Sequence, residues 1–96
     1  MKIEDWRKEI DGIDDELLKL LNRRAQVAIE VGAVKRRAGL PVWDAERESE
    51  VLARACDSNA GPLEESAIIK LFRRIICESR RAEERTIESF DECEIV

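Results

Sequence analysis

The chain has 96 residues, 22 acidic against 17 basic, and a formal net charge of -5. That acidity argues against nucleic acid as the main partner, because phosphate binding needs a basic field. The lack of histidine removes the commonest metal ligand and the usual general base near neutral pH.

A chain 44% apolar and 41% charged suits helices with one apolar stripe and salt-laced outer faces. The first predicted element is a long amphipathic helix from about Ile3 to Arg37. Its apolar positions step by three and four: Ile3, Trp6, Ile10, Ile13, Leu17, Leu20, then Val27, Val31 and Val34. At about 1.5 Å per residue such a helix spans roughly 50 Å. A globule of this size has a radius of gyration near about 13 Å. The helix is therefore expected to reach across to a second copy of the chain.

Gly39 and Pro41 end this helix. Asp44 is the expected N-cap of a short second helix over about Ala45 to Cys56, with Val51, Leu52 and Ala55 facing inward. The stretch Asp57 to Gly61 is a loop. Pro62 is placed in the first turn of a third helix running from about Leu63 to near Phe90. Its stripe is Ile68, Phe72, Ile75 and Ile76, resumed at Ile87 and Phe90, and the acidic end DECEIV is expected to fray. One domain is expected over residues 1–96, all-α, with three helices (long, short, long).

The cysteines, Cys56, Cys77 and Cys93, are odd in number and lack ligand-type spacing. They are read as reduced thiols of a cytoplasmic protein, with no metal expected. The start, MKIEDWRKEI, is too charged for a signal peptide, and no apolar run approaches a membrane span.

The informative positions are those where polar residues interrupt the stripes. Positions 3, 10, 17, 24 and 31 form one heptad column of Ile, Ile, Leu, Arg and Val. Arg24 in that seam is costly unless paired, and taken alone is also compatible with a structural ion pair or a register-setting residue. Lys35 shares the neighbouring column with Arg7, Asp14, Leu21 and Ala28, where a lysine usually snorkels to solvent. The third helix carries Ser79 and Glu83 on its stripe. The serine there could bond to its own backbone, and the glutamate could form a rim. The second helix opens with Asp44, Arg47 and Glu48.

Together these residues describe a local cationic cluster inside an acidic protein, which suits a small polyanion. Arginine offers a bidentate fork to a carboxylate, and lysine a point charge. No nucleophile–base pair and no Gly-rich phosphate loop stands out. Any catalysis here should run by positioning and electrostatics, without cofactor or metal.

The runs IDGIDDELLKLLNRR, VGAVK, GLPVWDAERESEVL and LFRRIICESRRAEE, in this order, resemble the all-helical chorismate mutases over about Trp6 to Glu83. The resemblance implies an intertwined homodimer with two equivalent sites and chorismate, a dicarboxylate, as substrate. It implies that Arg24 and the second copy's Arg7 clamp the two carboxylates. Lys35 and Glu83 would act on the ether oxygen, Glu48 and the helix start near Asp44 on the ring hydroxyl. Ser79 would assist at a carboxylate, and Arg47 would brace its neighbours. The reaction would be an intramolecular pericyclic rearrangement to prephenate, in phenylalanine and tyrosine biosynthesis.

Two alternatives stay open at this point. An isochorismate-pyruvate lyase shares the fold and binds a similar dianion, although Glu48 in the D-x-x-R-E run suits the chorismate hydroxyl. A non-catalytic helical dimerisation module explains the heptads but not Arg24, Ser79 and Glu83. No response to aromatic amino acids is expected.

Overall fold

The structure is a computed structural model that describes residues 1–95, with side chains described through Arg85. It contains α1 (Ile3–Arg37), α2 (Ala45–Ser58) and α3 (Glu65–Ile95), and no strand among the described residues. The all-α, long–short–long order matches the sequence reading, and α1 has the bounds expected of it.

The ends of α1 follow from local chemistry. Asp5 accepts the backbone N–H of Lys2 at 3.0 Å. Glu4 and Asp5 lie in the first turn and Lys35, Arg36 and Arg37 in the last, each sign opposing the helix dipole. At the C-terminus Gly39 adopts φ +70°, the left-handed region that a side chain disfavours. Its N–H donates to the Arg36 carbonyl at 3.1 Å, and the Leu40 N–H donates to the Lys35 carbonyl at 2.8 Å. This is the paired closure of a Schellman motif. Pro41 then cannot resume the helix.

Asp44 caps α2 by accepting the Arg47 N–H at 3.1 Å. The helix continues two residues beyond the expected end, to Ser58. Val51, Leu52 and Ala55 are half-buried, in line with an inward face.

Contrary to the sequence reading, Pro62 is not in the first turn of α3, which begins at Glu65. Asn59 occupies the intervening polar groups. Its side chain donates to the Leu63 carbonyl at 2.8 Å and accepts the Gly61 N–H at 3.1 Å. The helical ladder therefore opens one residue later, with the Ile68 N–H bonding the Glu64 carbonyl at 3.1 Å. At the other end α3 extends to Ile95, past the point where the acidic tail is expected to fray. The side chains of Ile87, Phe90 and Cys93 lie outside the described residues.

α3 packs against both α1 and α2. Ile68 is the buried hydrophobic residue among those described, with Phe72, Ile75 and Ile76 half-buried around it. The stripe of α1 is instead open: Ile10 is 54% exposed, Ile13 58% and Leu20 66%. The chain measures 58 × 31 × 16 Å with a radius of gyration of 17.1 Å. A compact chain of this length would measure about 13 Å.

Candidate active site

One cavity of about 320 Å³ lies where α1, the loop after it, α2 and α3 meet. Val27, Ala28 and Val31 of α1, Val51 of α2 and Ile76 of α3 give it apolar walls. Seven of the eight site residues expected from the sequence line it: Arg24, Lys35, Asp44, Arg47, Glu48, Ser79 and Glu83. The eighth, Arg7, does not. It is exposed on α1, about 25 Å along the helix from Arg24 at ~1.5 Å per residue.

Arg24 breaks its apolar column because α3 presents a polar partner there. Its Nη1 donates to Ser79 Oγ at 2.7 Å, and Ser79 is buried. The partner is a neutral hydroxyl. No carboxylate pairs with Arg24 among the described residues, so its charge remains available to a ligand.

Lys35 is half-buried, and its Nζ donates to the Val42 carbonyl at 3.3 Å. The ammonium is thus turned across the loop onto the cavity wall rather than extended into water. The Schellman closure holds the carbonyl of the same residue, so Lys35 is tied to the loop through both backbone and side chain.

Glu83 is only 7% exposed. Burial pushes its carboxyl above the ordinary glutamate value; Lys35 and Arg80 pull it down, and Glu84 adds to the rise. Room for this side chain comes from Gly32, which is buried in α1. A Cβ there would sit 2.7 Å from Glu83 Oε1 and 2.9 Å from Cγ and Cδ.

Glu48 is half-buried, with its Oε2 accepting from Trp43 Nε1 at 3.2 Å and lying 4.0 Å from Arg80 Nη1. Asp44 and Arg47 line the cavity, but their polar ends serve α2: Asp44 caps it, and Arg47 Nη1 pairs with Glu50 at 3.2 Å. Among the described residues no group of His, Cys, Asp or Glu could hold a metal ion. Nor is any helix long and apolar enough to cross a membrane. Cys56 and Cys77 are free thiols.

A fork-shaped cation, an ammonium, a hydroxyl and a buried protonatable carboxyl converge on one small cavity. That set can grip a compact dicarboxylate and donate to a further oxygen of it. Residues 6–84 match the family described as chorismate mutase type II.

The chain belongs to that family.

A solved chorismate mutase from Thermus thermophilus (form II) superimposes with a TM-score of 0.86 at 39% identity, covering 88% of this chain and 97% of that one. A Helicobacter pylori chorismate mutase, solved in complex with prephenate, gives a TM-score of 0.82 at 27% identity over 90% of this chain and 93% of its own. Among curated proteins, a bifunctional chorismate mutase/prephenate dehydratase of Aquifex aeolicus is 38% identical over 79 residues. That match takes in 78% of this chain and 22% of the relative. The chain spans about a fifth of the length of several such curated relatives.

Three features of this chorismate mutase fold escape a reading by residue type. Arg80 follows Ile76 and precedes Glu83 at helical spacing, so the α3 stripe itself signals it. Gly32 is signalled only by being a glycine inside a helix, where it costs about 0.5–1 kcal/mol relative to alanine. The role of Trp43 against Glu48 depends on the fold of the loop and has no signal in the sequence.

Proposed function

We propose that this chain isomerises chorismate to prephenate, as one domain paired with a second copy of itself. The observation that carries this reading is the cavity, in which Arg24, Lys35, Ser79, Glu48 and Glu83 converge inside an acidic chain. The prephenate-bound relative supports the choice of ligand.

The rearrangement breaks one carbon–oxygen bond and forms one carbon–carbon bond within a single molecule, with no proton transfer. The protein's work is therefore to hold the side chain of the substrate over its ring and to stabilise charge on the departing ether oxygen. Arg24, braced by Ser79, binds one carboxylate. Lys35 donates to the ether oxygen as negative charge grows there, and protonated Glu83 donates to the same atom. Glu48 accepts from the ring hydroxyl beside Asp44, and Arg47 keeps the start of α2 in place through Glu50.

The second carboxylate is left for Arg7 of the other copy. Support for pairing comes from the exposed α1 stripe and from the distance of Arg7 from its own cavity. The free thiols at Cys56 and Cys77 support a cytoplasmic setting.

The test is a direct assay of the purified chain with chorismate and, separately, isochorismate. Loss of chorismate with prephenate as product supports the reading. Pyruvate release from isochorismate alone would make the chain a lyase, and inertness toward both would leave a helical dimerisation module.

A further inference from the structure

Glu48 stands apart from the other paired carboxylates. Among the described residues, the pairs Arg47–Glu50, Arg74–Glu78 and Arg81–Glu78 each lie within one helix, three or four residues apart. Their side chains are 46–68% exposed. Such pairs contribute little. The Arg80–Glu48 contact instead joins α3 to α2, with side chains 33% and 29% exposed. At 4.0 Å it is a charge contact rather than a hydrogen bond. The hydrogen bond to the same oxygen, Oε2, comes from Trp43 Nε1 at 3.2 Å. Among the described residues nothing engages Oε1. One donor from the loop and one cation from α3 thus converge on one oxygen and spare the other, in a side chain that lines the cavity.

We propose that Trp43 and Arg80 are positioning residues that hold Glu48 by Oε2 and leave Oε1 to accept the ring hydroxyl of the substrate. This rests on the chorismate reading above. A glutamate side chain in water samples many rotamers, and fixing it before the substrate arrives removes that ordering cost from binding. Arg80 also places a positive charge beside this acceptor, on the side away from Oε1. The indole of Trp43 is 59% exposed, so it can be altered without opening a core.

The test uses chorismate and an analogue lacking the ring hydroxyl, with Trp43→Phe and Arg80→Gln, and helicity checked by circular dichroism. Each variant should lose about three- to tenfold in kcat/KM for chorismate, the worth of one hydrogen bond. Trp43→Phe should lose under twofold for the analogue, and Arg80→Gln, which also removes a charge acting on Glu83, should lose less for the analogue than for chorismate. Arg80→Lys, which keeps the charge, should retain more than Arg80→Gln, and neither Trp43→Phe nor Arg80→Gln should matter further once Glu48 is Ala. Equal losses on both substrates, or full additivity with Glu48→Ala, would overturn the proposal while leaving the chorismate reading intact. A native chain that converts neither substrate overturns both. Should Arg80→Gln fail to fold, Trp43→Phe alone decides the matter by the same ratio.

Discussion

Glu83 is a buried carboxyl within the influence of two cations, and the forces on it oppose one another. Burial is the largest and raises its pKa; Lys35 and Arg80 lower it, and the outcome is a rise. A carboxylate only accepts hydrogen bonds, so donation to the ether oxygen requires the protonated form. Turnover should therefore be highest on the acidic side and fall as Glu83 ionises. Glu83→Gln donates at every pH, so its profile should be flatter, with activity kept on the alkaline side. Parallel profiles for the two proteins would rule out the donor role. Linkage gives a second readout with a fixed sign. A raised folded-state value makes the stabilising contribution complete below the ordinary glutamate value and lost as pH climbs through the raised one. Melting temperatures of the native chain should show that decline, and Glu83→Gln should lack its share of it. Removing one donor aimed at a developing charge costs about 10²–10³ in rate. Lys35→Ala should lose at least that in kcat with helicity unchanged, and near-normal turnover would return Lys35 to a passive role on the loop.

The close contact of α1 with α3 depends on a missing side chain. Gly32→Ala should by propensity stabilise α1 by about 0.5–1 kcal/mol. The new Cβ would instead meet Glu83 at 2.7–2.9 Å, and overpacking costs about 1–3 kcal/mol. The second effect is the larger, so Gly32→Ala should melt earlier and turn over more slowly. Gly12→Ala, with nothing within 4 Å of its Cβ, should melt no earlier than the parent. A Gly32→Ala protein with full activity would show that Glu83 moves aside without consequence. Elements of this kind divide what the sequence discloses from what it does not. The bounds of α1 are legible because the apolar period and the Gly39–Pro41 pair agree. Arg24, Ser79 and Glu83 were legible as exceptions to apolar columns. The start of α3 was misplaced because Asn59 reaches over Pro62 to the Leu63 carbonyl, a side-chain bond that periodicity does not encode. Trp43 and Arg80 gain their meaning only when the loop and α3 meet at Glu48.

Taken whole, the chain leaves most of its α1 stripe uncovered, with Trp6 53% and Leu17 49% exposed. In the proposed dimer that stripe becomes an interface of the large, apolar, obligate type. Light scattering at micromolar concentration should give twice the chain mass; a compact, active single chain would sink the pairing. Arg7→Ala and Arg24→Ala should each lose most activity. Mixed and allowed to exchange, they should regain some, since a hybrid pair keeps one site with both arginines. Proven exchange with no recovery would mean that Arg7 does not act across the interface. The uncovered stripe also bears on how little of this protein a cell can usefully keep. In the proposed dimer the apolar stripe is sheltered only by the second copy, so scarcity itself would expose the single chain to proteases. Halving synthesis near that limit should more than halve the surviving catalyst, giving expression a floor rather than a smooth lower range.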